Sequence, residues 1–138
     1  VTETLIQKSR PHLFSNALPA SVAAAGRKSL ELLEKHPDRV TALQEKAVKF
    51  RALLNNLDLK PLPGDSAVVP VIVGETATAI RLAGELLNRG IFVTGFGFPV
   101  VPEGEARLRF QLSFAHTEAE LDEAVVALKD CLQSPGSA

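Results

Sequence analysis

The chain has 138 residues, 46% of them hydrophobic and 22% charged, with a formal net charge of −1; this is one domain's worth of polypeptide, with no basic excess for nucleic acid and no acidic tail. A single cysteine excludes an internal disulfide and fits a reducing, cytoplasmic compartment, and no apolar run approaches the roughly 18 residues that span a membrane. The chain holds no Met, Trp or Tyr and begins at Val1 without a signal-peptide pattern, so it is expected to be a piece of a longer polypeptide.

The first stretch with a distinct character is SRPHLFSNALP, residues 9–19. Bracketed by Arg10-Pro11 and Leu18-Pro19 and carrying Ser15 and Asn16, it reads as a connection. From Pro19 to about Lys35 an Ala-rich run ending in ELLEK predicts a helix whose small residues let a neighbour approach. His36-Pro37-Asp38 interrupts it. A second helix runs to about Asn55, with Val40, Leu43, Ala47, Phe50, Leu54 and Leu57 in one stripe. KPLPGD at 60–65 is a loop. Ala67 to Val73 is β-branched and predicts a buried strand. Pro70 cannot donate to a ladder, so that strand is expected at an edge or bulged. Thr76 is expected to cap a helix ending at Arg89-Gly90, with Gly90 in the left-handed conformation. Ile91 to Phe96 is the second strand, and Gly95, Gly97, Pro99 and Pro102 shape the loop after it. Arg107 to Phe114 alternates: Leu108, Phe110, Leu112 and Phe114 face a core, and Arg107, Arg109, Gln111 and Ser113 face away. Thr117 and Glu120 form a capping box. The last helix shows Leu121, Ala124, Val125, Leu128 and Leu132 on one side.

This order predicts an α/β (α+β) fold, a small mixed three-stranded sheet with helices packed on it. The first strand, its crossover helix and the second strand form a β-α-β unit. The second and third strands pair antiparallel across residues 97–106.

Arg107 and Arg109 are the most informative pair. At period two they share a face, roughly 6–7 Å apart, beside a Gly/Pro-shaped loop. A guanidinium there can grip a carboxylate through two parallel hydrogen bonds. Solvent-facing arginines paired with Glu103 or Glu105 explain the same pattern. Ser15 can cap the helix that follows or bind an anion. His116 precedes the Thr117 cap and reads as a hydrogen-bonded structural residue. His12 and His36 are isolated, and no two histidines have metal-ligand spacing. Cys131 falls on the apolar side of the last helix as a small core residue. Gly95-Phe96-Gly97 lacks the third glycine and the following helix of a dinucleotide site. Neither a Ser/His/Asp nor a Cys/His constellation is present, and none of the seven lysines has the context of an imine-forming residue. From the residues alone the domain has one candidate anion-binding face and no catalytic group.

Two stretches and the distance between them carry a family resemblance. SRPHLFSNALP at 9–19 and GIFVTGFGFPVVPEGEARLRFQLSFAHT at 90–117 are similar to the C-terminal part of the α-oxoamine synthases, pyridoxal-phosphate enzymes of the type I aminotransferase fold. The chain looks closest to the branch that condenses glycine with acetyl-CoA, giving 2-amino-3-oxobutyrate and CoA, in threonine and glycine metabolism. The 8-amino-7-oxononanoate and 5-aminolevulinate synthases resemble it too. They tend to carry Thr near Ser15-Asn16 and usually lack the run at 95–102.

The resemblance implies that residues 1–18 are a dimer-interface segment arriving from an absent large domain, and that 19–138 are the C-terminal small domain. It implies that Arg109 holds the amino acid's carboxylate, and that Ser15 reaches across a homodimer to the cofactor phosphate. His116 matches a family histidine. The cofactor lysine, its histidine partner and the aspartate at the pyridine nitrogen belong to the large domain. The chain is therefore expected to contain no catalytic residue, to bind no pyridoxal phosphate by itself and to be inert alone. The competing expectations are a free-standing module that binds an anionic effector, and a dimerisation domain without a ligand.

Overall fold

A computed structural model describes residues 1–9, 18–57 and 59–134. They fall into two compact units, Val1–Pro37 and Asp38–Ala138. Among its described residues the first holds two helices. Helix α1, Thr2–Lys8, carries Glu3 in its first turn and Lys8 in its last, which suits the helix dipole; it is too short for its periodicity to announce it in the sequence. Helix α2, Ala20–Lys35, starts after Pro19 and stops at His36, ahead of Pro37.

The second unit contains α3 (Asp38–Asn55), β1 (Val68–Gly74), α4 (Thr76–Asn88), β2 (Thr94–Phe96), β3 (Ala106–Gln111) and α5 (Glu118–Gln133). The sheet order is β1-β3-β2, and both pairings are antiparallel. The strands β1 and β2 joined by α4 therefore run the same way with β3 between them, a split β-α-β arrangement. Strand β1 is an edge, as Pro70 requires, and its pairing shifts between Ile72 and Gly74. Its outer side is partly occupied: Leu62 N–H donates to Pro70 O at 2.8 Å.

Helices α3, α4 and α5 share the sheet face that bears Val69, Val71, Leu108 and Phe110. Phe50 and Leu54 of α3, Leu82 and Leu86 of α4, and Leu128 and Cys131 of α5 complete that core. The Phe50 and Phe110 rings meet at 5.4 Å and 59°. Each such side chain contributes about 1.5–3 kcal/mol by leaving water. Helix α5 opens on the expected capping box: Thr117 Oγ1 accepts from Glu120 N–H, and Glu120 Oε2 accepts from Thr117 N–H. Gly90 ends α4 with φ +81°.

Several expectations are corrected. Thr76 is not the cap of α4; Glu75 holds that position without a side-chain hydrogen bond. Thr76 Oγ1 instead accepts from Phe98 N–H at 3.0 Å, tying the 97–98 loop to the start of the helix. Strand β2 begins only at Thr94, because residues 91–93 have no partner on β3. Strand β3 ends at Gln111, and the chain turns, with His116 N–H donating to Ser113 O. That turn takes Phe114 out of the core to 45% exposure. Its ring instead meets Lys46 Nζ at 5.3 Å and the Arg39 guanidinium at 5.6 Å. Leu132 and Val40 lie on exposed flanks of their helices, and Cys131 takes the core position beside Leu128.

Candidate functional site

Strand β3 builds the site. Its alternation sends Ala106, Leu108 and Phe110 inward, while Arg109 and Gln111 are exposed and Arg107 is half-buried. Arg107 and Arg109 thus share the face turned away from the helices, as their spacing predicts. Neighbours on that face follow from register: Arg109 stands between Pro70 of β1 and Thr94 of β2, and Arg107 between Ile72 and Phe96.

The two arginines differ in what they hold. Arg107 is committed locally: its Nε donates to Glu105 O at 3.0 Å, and its Nη2 to Glu105 Oε2 at 2.9 Å. For that residue the plain ion-pair explanation applies. Among the described residues Arg109 has no carboxylate within ion-pair distance and donates no hydrogen bond to the protein. Its guanidinium carbon lies over the Phe96 ring, 4.9 Å from the centroid.

Arg109 also contributes to the lining of a hollow of about 660 Å³ beside β3, ahead of the start of β2, walled on the helix side by Phe50, Leu121 and Ala124 and bordered by Glu120 and Glu123. Thr94, Gln111, Ser113, His116 and Arg89 line other parts of it. Arg89 is held by Asp130, 3.2 Å away, which leaves Arg109 as the cation at the hollow without an acid partner among the described residues. His116 is structural: its Nδ1 accepts from Ser113 N–H at 3.1 Å. Lys46, which the sequence did not single out, fastens this corner by donating to Phe114 O at 2.7 Å and to His116 O. Its signal was faint, a lysine in the middle of an otherwise ordinary amphipathic helix.

The remaining candidates lie elsewhere. Cys131 is fully buried in the core, and burial pushes its thiol pKa up. His36 stands at the end of α2 in the first unit. Ser15 and His12 lie outside the described residues. Among the described residues no three His, Cys, Asp or Glu side chains cluster as a metal site, and no helix is long and apolar enough to cross a membrane.

The three-stranded antiparallel sheet with helices packed on it is a fold that this chain shares with pyridoxal-phosphate enzymes of fold type I. One neighbour in that class is a variant of serine palmitoyltransferase from S. paucimobilis, holding a pyridoxal phosphate–myriocin adduct. It superposes with a TM-score of 0.84 at 24% identity, over 94% of this chain and 33% of its own. The chain belongs to the aminotransferase class I and II family, which matches residues 1–128. The 2-amino-3-ketobutyrate coenzyme A ligase of Escherichia coli strain K12 is 42% identical over 127 residues, 92% of this chain and 32% of its own. The 8-amino-7-oxononanoate synthase of Symbiobacterium thermophilum is 41% identical over 125 residues, 91% of this chain and 32% of its own. These names bear out the kinship with the α-oxoamine synthases. The chain spans about a third of the length of these relatives.

Proposed function

We propose that this chain supplies the substrate-carboxylate clamp of glycine C-acetyltransferase, also called 2-amino-3-ketobutyrate CoA ligase. That pyridoxal-phosphate acyltransferase condenses glycine with acetyl-CoA to 2-amino-3-oxobutyrate and CoA. The observation that carries the reading is the Arg109 guanidinium lying over Phe96 without an acid partner among the described residues, beside an Arg107 already satisfied by Glu105. The run Gly95-Phe96-Gly97-Phe98-Pro99-Val100-Val101-Pro102 and the E. coli relative support the glycine-using branch. The Symbiobacterium relative, at nearly equal identity, supports 8-amino-7-oxononanoate synthase as the second reading.

The described residues do not fit pyridoxal phosphate by themselves. An imine needs a lysine, and none lines the hollow. Lys46 is turned to Phe114 O and His116 O, and Lys49 to Glu118 at 2.6 Å. We therefore place the cofactor lysine in the length that the relatives have beyond this chain, and expect the chain alone to be inert. The cofactor, when bound, withdraws electrons from the substrate's α-carbon. This chain's contribution is orientation: a gripped carboxylate fixes which α-carbon bond stands ready to break. Ser15, as the proposed phosphate ligand across a homodimer, and residues 1–18, as the interface segment ahead of a small domain at 19–138, complete the reading. The compartment is the cytoplasm.

The test uses the full-length cofactor-loaded enzyme. Glycine should shift the cofactor's absorbance, and glycine with acetyl-CoA should release CoA. Arg109→Ala should weaken glycine binding by about 2–5 kcal/mol, the cost of truncating one partner of a desolvated charge pair. An unchanged glycine titration in that variant removes Arg109 from the clamp. Failure to release CoA from glycine and acetyl-CoA with the wild-type enzyme moves the assignment to the second reading.

A further inference from the structure

This inference rests on the carboxylate-binding reading of Arg109 and concerns what aims that side chain. We propose that Phe96 is the positioning residue of the clamp: its ring seats the Arg109 guanidinium and leaves the N–H groups to the ligand. The contact, 4.9 Å from guanidinium carbon to ring centroid, is well inside the range where an aromatic face attracts a cation. Register makes it possible. Phe96 pairs with Arg107 and Thr94 with Arg109, so Phe96 is the diagonal neighbour of Arg109 on the same face, within reach of an aromatic and a long side chain.

Phe96 cannot easily face elsewhere. It lies between Gly95 and Gly97, whose Cα atoms press on α4. A Cβ at Gly95 would come within 2.8 Å of Ala79 O, and one at Gly97 within 2.3 Å of Thr76 Cγ2. The two glycines bring β2 against the helix on one side, so alternation turns the residue between them to the arginine face. Thr76 then fixes the following turn through Phe98 N–H.

The ring suits the task because it is neutral. A carboxylate in its place would occupy the donors that a substrate needs, as Glu105 does for Arg107. An aromatic face attracts the positive charge and takes none of the hydrogen bonds away from a planar anion. It also restricts the side chain before the ligand arrives, so less rotamer freedom is lost on binding.

Two measurements test the idea. In the full-length cofactor-loaded enzyme, Phe96→Leu should raise the glycine KM and dissociation constant by about 3- to 30-fold, with a much smaller change in kcat. Phe96→Tyr, which keeps the aromatic face, should restore binding to within about 2-fold. Independently, in the NMR spectrum of the wild-type chain, the ring current should move the Arg109 Nε–H proton upfield. The resonance is identified by its loss in Arg109→Lys. If glycine binding falls in Arg109→Ala but not in Phe96→Leu, the positioning role is overturned and the clamp stands. If Arg109→Ala itself binds glycine normally, both fall. A wild-type Arg109 resonance without an upfield shift overturns the seating contact whether or not the Leu variant folds.

Discussion

Two arginines two residues apart on one strand have different fates, and the difference is set by neighbours a few ångströms away. Arg107 closes on Glu105, a pair whose carboxylate side chain is half exposed and which contributes little to stability. Arg109 lies over Phe96 with its donors available. The lone cysteine illustrates the same dependence on surroundings. Burial holds the Cys131 thiol in its neutral form, and the thiolate is the reactive species. At pH 8 a water-soluble thiol reagent should label the native chain far more slowly than the chain in denaturant, where one thiol should react promptly. Equal rates would mean that the core around Leu128 and Cys131 opens readily.

Among the elements, β2 is the shortest and the most constrained. Its three residues pair with β3 on one edge, and its glycines touch α4. Gly95→Ala places a methyl against the carbonyl oxygen of Ala79, a backbone atom that moves only with its helix. We expect a loss of about 1–3 kcal/mol, the usual cost of overpacking. It should be read as a lower urea midpoint with an unchanged slope. A midpoint equal to wild type would show that β2 and α4 separate without cost, which would also loosen the seat proposed for Phe96. Helix α5 is the counterexample, an element whose start is written locally. Thr117 and Glu120 satisfy each other's backbone N–H groups with no help from the rest of the fold.

For the whole molecule, the charged pairs predict an acid limb. Glu118 is held below the usual carboxylate range by its hydrogen bond from Lys49, Glu85 by that from Arg81, and Glu120 by the Thr117 backbone N–H. A carboxyl whose native pKa is depressed stabilises the fold fully above its unfolded value of about 4.3. The stabilisation is lost as pH falls through the native value, because the unfolded chain then binds more protons. Lys49 acts at the other end: its raised pKa gives stability that is lost only as pH rises through that value, in the alkaline range. The melting temperature should therefore fall between about pH 5 and pH 3. Glu120→Gln, which retains the box geometry without titrating, should show a shallower fall. An identical acid limb in that variant would remove Glu120 from the effect.

Much of the fold is legible in the sequence because its causes are local. The alternation of β3 separates Leu108 and Phe110 from Arg107 and Arg109 without reference to any partner. Pro70 announces an edge, and Gly90 ends a helix because it takes a positive φ that other residues resist. The kinship is legible as well, since it rests on runs of specific residues. What is not legible depends on contacts between distant segments. Phe114 continues the β3 pattern by parity but leaves the core, since the chain turns at Ser113 and puts Lys46 and Arg39 on its ring. Thr76 has the composition of a cap but bonds Phe98, 22 residues later in the chain. Phe96 becomes a neighbour of Arg109 only through the register of β2 on β3, which sets Thr94 opposite Arg109 and Phe96 opposite Arg107. Side-chain periodicity, capping and turn chemistry act within a few residues and so can be read along the chain. Strand order and the choice of partner for a cation are settled by which distant surfaces pack together, and only the folded chain decides them.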